Sequence, residues 1–164
     1  MEVEIIKQIR EYSKTMTILY VEDEPTIRDE VTRALKKIFK SVDVAANGQE
    51  GLKLYNESKY DIVLTDIEMP IMDGIEMMRQ IKAINKKQIV AISSAYDSPK
   101  YLLELIEQGV DMFILKPFDL NSFFESIHKL IKNKHDNNKV EELEKQINEE
   151  LDIEKMLLYS TLSS

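Results

Sequence analysis

The sequence predicts an α/β fold: a doubly wound five-stranded parallel sheet with helices on both faces, plus a C-terminal amphipathic helix. Three observations point there. Five short β-favouring apolar runs alternate with five stripes of helical period along residues 17–133. The runs are compact and apolar, as strands buried on both faces are. Charged or small hydroxyl residues stand directly after four of them, where open α/β sheets gather their ligand-binding groups.

Composition narrows the class further. At 164 residues the chain suits one domain of ordinary size with some length left over. A hydrophobic content of 43% is enough for a core, and no apolar run approaches the length needed to cross a bilayer. Glu2 and Glu4 break the order of a signal peptide at once. The absence of cysteine excludes disulfides and thiolate metal sites. A net charge of −8 argues against direct nucleic acid binding by this chain, which needs a basic face. An acidic, cytoplasmic protein without a membrane segment is expected.

Met1–Lys14 carries Val3, Ile5, Ile6, Ile9 and Tyr12 at a loosely helical period, compatible with a short helix on the domain or with a frayed terminus. The first strand, Thr17–Val21, stops on Glu22-Asp23-Glu24. Three consecutive carboxylates repel one another, so the cluster costs stability unless a cation neutralises it; a solvated acidic turn is the plainer alternative. Pro25 suits a first helical turn, and Ile27, Val31, Leu35 and Ile38 follow at helical spacing.

Val42–Ala45 reads as the second strand, Asn47-Gly48 as a turn, and Leu52 and Tyr55 as the inner face of the next helix. The third strand, Ile62-Val63-Leu64, runs into Thr65 and Asp66, and its loop carries Pro70 and closes on Asp73-Gly74. Taken alone, Asp66 reads equally as a loop acid or a helix cap. Ile75, Met78 and Ile81 supply a third helical stripe, which reads as core. Ile89–Ile92 ends on Ser93-Ser94-Ala95. Asp97-Ser98-Pro99 then opens a fourth helix with Leu102, Leu105 and Ile106, for which Gly109 fits the position just past the end. Met112–Leu115 ends on Lys116-Pro117-Phe118, and Asn121 is expected to cap a fifth helix with Phe124, Ile127 and Ile131 inward. In a flavodoxin-like strand order, 2-1-3-4-5, the charged ends of the first, third and fifth strands lie at or beside the switch point.

His135–Asn138 (HDNN) is polar and poor for helix, and predicts a hinge. Beyond it Val140, Leu143, Ile147, Leu151 and Leu158 recur at steps near three and four, with Glu154 in one expected core position. The step from Ile147 to Leu151 interrupts a strict heptad as a stutter would. From Lys134 onward the chain nets −4, which excludes a basic helix gripping nucleic acid. A dimerising or connecting helix and a solvated amphipathic tail both remain compatible with this pattern. Ser163-Ser164, directly after the helix, fits either a natural end or a cut ahead of an effector domain.

Glu22-Asp23, Asp66, Ser94 and Lys116-Pro117 thus stand in order on successive strand ends, with DxxMPxxDG around Asp66. This set resembles the receiver domain of bacterial two-component response regulators over about residues 15–133. The resemblance implies three segments: 1–14, 15–133 as the receiver, and 134–164 as hinge and helix. It implies that Asp66 accepts a phosphoryl group from the phosphohistidine of a sensor histidine kinase or phosphotransfer protein. Mg2+ would be held by Asp23 and Asp66, with Glu22 acting through water and the Glu68 backbone carbonyl completing the oxygen shell. Lys116 would pair with the acyl phosphate, next to a Lys116-Pro117 bond that is often cis in this family. Ser94 would donate its hydroxyl to a phosphoryl oxygen, and Phe113 would turn inward as it does. The switched surface would be the face of the fourth helix, fifth strand and fifth helix, counting helices from Pro25. Homodimers are expected through that face or the C-terminal helix.

Departures from the family pattern are Glu68 and Tyr96, which flank the path of the hydrolytic water, and Phe113, which lacks a tyrosine hydroxyl. Two other functions compete. A Mg2+-dependent phosphatase of the haloacid-dehalogenase type also uses a strand-end Asp, but in a D-x-D pattern, and here that offset holds Glu68. A structural receiver that is never phosphorylated would not need the complete residue set. The expected protein is therefore a phosphoacceptor rather than an enzyme acting on a separate substrate. His128 and His135 are too few and too scattered for a metal site.

Overall fold

The computed structural model describes residues 2–95, 99–117 and 119–163. In chain order the elements are α1 (Glu2–Ser13), β1 (Thr17–Val21), α2 (Pro25–Lys36), β2 (Ser41–Ala45), α3 (Gly48–Glu57) and β3 (Ile62–Thr65). They continue with α4 (Gly74–Ile84), β4 (Ile89–Ser94), α5 (Pro99–Glu107), β5 (Met112–Leu115) and α6 (Leu120–Leu162). The five strands form one sheet in the order β2-β1-β3-β4-β5, every pair parallel. This is the doubly wound arrangement that the alternating runs imply. The chain divides into two units, one ending at Ile131 and one beginning at Lys132.

In the first unit, side-chain alternation along the strands builds two cores. Ile18, Tyr20, Ile62, Leu64 and Ile114 face a cluster completed by Ile9 of α1, Val31 and Leu35 of α2, and Phe123, Phe124, Ile127 and Ile131 of α6. Leu19, Val21, Val63, Val90 and Ile92 face the opposite cluster, with Tyr55 of α3, Met77, Met78 and Ile81 of α4, and Leu105 of α5. A strand residue with a core on each side explains why these runs are apolar throughout. The N-terminal segment is a helix laid on the domain. Ile9 is fully buried, and the buried Ser13 hydroxyl donates to the carbonyls of Ile9 and Ile38.

Local chemistry sets the helix starts. Glu24, Asn47 and Asp73 each place a side-chain oxygen on a first-turn backbone N–H, opening α2, α3 and α4. A cap of this kind stabilises a helix by about 1 kcal/mol. Asn47-Gly48, expected as a turn, is therefore a cap followed by the first helical residue. Likewise α6 is capped by Asp119, not by Asn121: the Ser122 N–H donates to Asp119 Oδ1 at 2.8 Å, so the helix opens before Asn121. Gly109, at φ +86°, ends α5. The Gly109 and Val110 N–H groups return to the carbonyls of Ile106 and Leu105.

The hinge expected at His135–Asn138 does not form. Helix α6 runs unbroken through His135–Asn138. Those residues contain neither Gly nor Pro, and Asn, Asp and His each cost a helix only about 0.7 kcal/mol, too little to break one already nucleated. In the second unit every described residue from His135 onward is exposed, including Val140, Leu143, Ile147, Leu151 and Leu158. No helix among the described residues is long and apolar enough to cross a membrane.

Candidate functional site

Sheet register brings the acids together. In the central pair, Val21 of β1 lies opposite Thr65 of β3, so both strands end side by side. The Asp66 N–H then donates to Val21 O at 3.0 Å, and the Glu22 N–H to Ala45 O at 3.1 Å. Glu22, Asp23 and Asp66 can each present a carboxylate oxygen within 4.8 Å of the other two. Lys116 arrives from β5, where Leu115 pairs with Ser94. Its Nζ lies 2.7 Å from Glu22 Oε2 and 3.8 Å from Asp66 Oδ2. The peptide bond that follows, Lys116-Pro117, is cis.

Three carboxylates and one ammonium leave an excess of negative charge in a half-closed site. Glu22 is 1% exposed and is ion-paired with Lys116. The Asp66 carboxyl is pushed up to about 6 from an ordinary 3.8, first by burial and then by the Glu22 charge, with Asp23 adding a little. Lys116 and the Ile67 N–H, which donates to Asp66 Oδ1 at 2.8 Å, pull it back down. A hard divalent cation ligated by oxygen is the species that relieves such a set. The donors present fit one.

The loop after β3 is shaped by close backbone approach. Gly74 N–H donates to Ile67 O at 2.8 Å, and a Cβ at Gly74 would stand 1.9 Å from Asp66 O. Only glycine fits there. Thr65, fully buried, donates its hydroxyl to Asp66 O at 2.9 Å. On the other side of the site, Arg28 Nη1 donates to the backbone oxygens of Glu22 and Asp23.

The third acid of the run has a different role. Glu24 turns away as the cap of α2, accepting from the Ile27 N–H at 2.8 Å, and that hydrogen bond holds its carboxyl below the usual range. The expected cluster of three consecutive acids is thus a pair of site carboxylates and a helix cap. Ser94 is buried at the end of β4, and its carbonyl accepts from the Lys116 N–H at 3.0 Å. Phe113 is half-buried on β5, packed at the edge of the second core. Glu68 lies two residues past Asp66 in the loop with its side chain exposed. Tyr96, Asp97, Ser98 and Phe118 lie outside the described residues. Arg28 was not named from sequence, and Thr65 and Gly74 were read there only as the strand end and the close of the loop. A glycine closing an acidic loop was the one available signal, since a lone Arg or Thr carries none.

Residues 18–128 match the response regulator receiver domain family. Chemotaxis protein CheY of Listeria monocytogenes is 36% identical over 118 residues, covering 71% of this chain and 99% of that protein. A cyclic di-GMP phosphodiesterase of Thermotoga maritima is 34% identical over 119 residues, but the match spans 32% of that protein's length. Among solved structures, the N-terminal domain of an uncharacterized Wolinella succinogenes protein superposes with a TM-score of 0.68 at 33% identity, over 73% of this chain and 97% of that one. Response regulator TrrA of Thermotoga maritima, in complex with Mg2+ and BeF, gives 0.64 at 32% identity, over 71% and 99%.

Proposed function

The chain belongs to the response regulator receiver domain family, and we propose that it works as a phosphoacceptor switch with Asp66 as the acceptor. The observation that carries this is the convergence of Glu22, Asp23, Asp66 and Lys116 at the ends of β1, β3 and β5. An Asp66 carboxylate oxygen attacks the phosphorus of a histidine kinase or phosphotransfer protein's phosphohistidine. The P–N bond breaks, the imidazole leaves with its electron pair, and an acyl phosphate forms on Asp66. Such a transfer needs positioning and charge neutralisation more than covalent assistance.

Lys116 is placed to supply part of that neutralisation. Its Nζ already lies between Glu22 and Asp66, so a phosphoryl group on Asp66 draws it by a short movement. Asp23 and Asp66 would hold Mg2+ directly, Glu22 through water, and the Glu68 carbonyl would add an oxygen; the ion would supply the remaining positive charge. Arg28 and the β3 loop bonds hold the acids in place before the phosphoryl group arrives. Ser94 would donate to a phosphoryl oxygen and Phe113 would move inward behind it, altering the face of α5, β5 and α6. The protein promotes its own phosphorylation and dephosphorylation and turns over no separate substrate.

A small phosphodonor with Mg2+ should add one acid-labile phosphate to the full chain, and Asp66→Asn should abolish it. Full labelling of Asp66→Asn, or steady turnover of a small phosphate ester, would overturn the assignment.

A further inference from the structure

The second unit carries an apolar seam whose repeat is not a heptad. Val140, Leu143, Ile147, Leu151, Glu154, Leu158 and Leu162 follow one another at steps of 3, 4, 4, 3, 4 and 4. The apparent stutter after Ile147 is therefore one step of a regular eleven-residue repeat: Val140 recurs as Leu151 and Leu162, Leu143 as Glu154, and Ile147 as Leu158. Eleven residues in three turns is about 98° per residue, close to that of a straight helix, so the seam stays on one face with little supercoil. All six apolar members lie within α6 and are 47–74% exposed. A helix with this much apolar surface in water needs a partner to cover it.

We propose that the partner is a second copy of this chain, and that residues 139–162 of the two copies pair parallel and in register. The charges beside the seam favour this occupant and this direction. At about 98° per residue, Lys139 and Glu150 fall on one edge of the seam, and Glu144 and Lys155 on the other. In a parallel two-fold pair each edge meets the opposite edge of the other copy. Lys139 then approaches Glu144 of the second copy, and Glu150 approaches Lys155 of the second copy, each contact made twice. An antiparallel pair centred on Leu151 joins like edges instead: it keeps Glu144 near Lys155 of the second copy but sets Glu150 against Glu150 of the second copy. It lays the acidic stretch Glu149, Glu150, Asp152 and Glu154 of one copy along the same stretch of the other.

The area fits a reversible pair. An aliphatic side chain in such a seam removes about 60–120 Å² of apolar surface from water, so twelve across two copies remove roughly 700–1,400 Å². Stable interfaces begin near ~1,200 Å². Parallel pairing also sets Glu154 against Glu154 of the second copy, a like-charge contact within the seam that keeps the pair weak. Dimerisation through this seam is separate from the chemistry at Asp66, and can fail or hold without it.

The chain has no cysteine, so one introduced cysteine can pair only with its twin. Sedimentation of the full chain over a wide concentration range, with and without a phosphodonor, should show a monomer–dimer equilibrium. Glu154→Leu should tighten it at least about tenfold, and Leu143→Asp should abolish it while leaving the first unit folded. Glu150→Lys and Lys155→Glu should each weaken the dimer about three- to tenfold, and the two together should restore it. Val140→Cys, at one end of the seam, should cross-link on mild oxidation. Three results would each overturn the proposal: a concentration-independent monomer for both the unaltered chain and Glu154→Leu; a dimer indifferent to Leu143→Asp; or a Val140→Cys dimer that does not cross-link.

Discussion

Replacing Asp66 with asparagine should stabilise the metal-free protein, and by an amount that depends on pH in a defined way. The Asp66 carboxyl is held up at about 6 in the fold against 3.8 as an ordinary aspartate. A carboxyl raised on folding binds its proton more tightly in the native state. Ionising it in the fold therefore costs stability. Below about pH 4 both states are protonated and there is no penalty; the penalty grows as pH rises and is complete above about pH 6. A shift of about two units corresponds to roughly 3 kcal/mol. Asparagine carries no charge, and its side-chain oxygen can still accept from the Ile67 N–H that now donates to Oδ1. It does lose the 3.8 Å ion pair with Lys116, but Lys116 keeps the closer Glu22. Urea unfolding with a chelator present, at steps from pH 4 to pH 8, measures the difference. Asp66→Asn should match the parent near pH 4 and exceed it by about 2–3 kcal/mol above pH 6. Mg2+ in excess should shrink the gap by stabilising the parent more than the variant. A gap that is flat across pH, or a variant weaker than the parent at pH 7.5, would refute the electrostatic reasoning.

Three further outcomes are expected. Lys116→Met should leave the buried Glu22 charge without its 2.7 Å partner, costing the metal-free protein on the order of 3–5 kcal/mol in urea, and should move the Asp66 titration above 6. Gly74→Ala should displace the β3 loop, because its Cβ would overlap Asp66 O; a loss of about 1–3 kcal/mol and weaker Mg2+ binding by fluorescence or calorimetry would show it. Ile71 holds φ +72° while 75% exposed, a conformation that strains a β-branched residue, so Ile71→Asn should raise stability by about 1 kcal/mol with the site unchanged.

Much of the fold was legible because its signals are local and repeated. Buried parallel strands read as unbroken apolar runs, and the helices between them as 3.6-period stripes. Those two periods fix the order of elements along the chain, and right-handed crossovers make the sheet doubly wound, while the strand order 2-1-3-4-5 came from likeness to flavodoxin-like sheets. The pocket acids were legible for a related reason: Glu22-Asp23 and Asp66 stand directly after strands that turn out to be neighbours. What was hidden depends on direction rather than pattern. Glu24 carries the same charge as Glu22 and Asp23, and only the path into α2 makes it a cap. Asp119 and Asn121 are equally good caps on paper, and the chain chooses by which oxygen reaches the Ser122 N–H. His135–Asn138 reads as a break because its residues are poor helix formers, yet a helix in progress carries them. The positive φ at Ile71 has no sequence signal, since β-branched residues argue against it.

The most direct test of the phosphoacceptor assignment is to locate the phosphate by chemistry that marks its carbon. The full chain is treated with a small phosphodonor and Mg2+, reduced with borohydride, digested and sequenced by mass spectrometry. Borohydride converts an aspartyl phosphate to homoserine and leaves free aspartate alone. The expected result is homoserine at position 66 and nowhere else, dependent on Mg2+. Homoserine at position 23, or no reduced residue in a chain that has taken up phosphate, would contradict it.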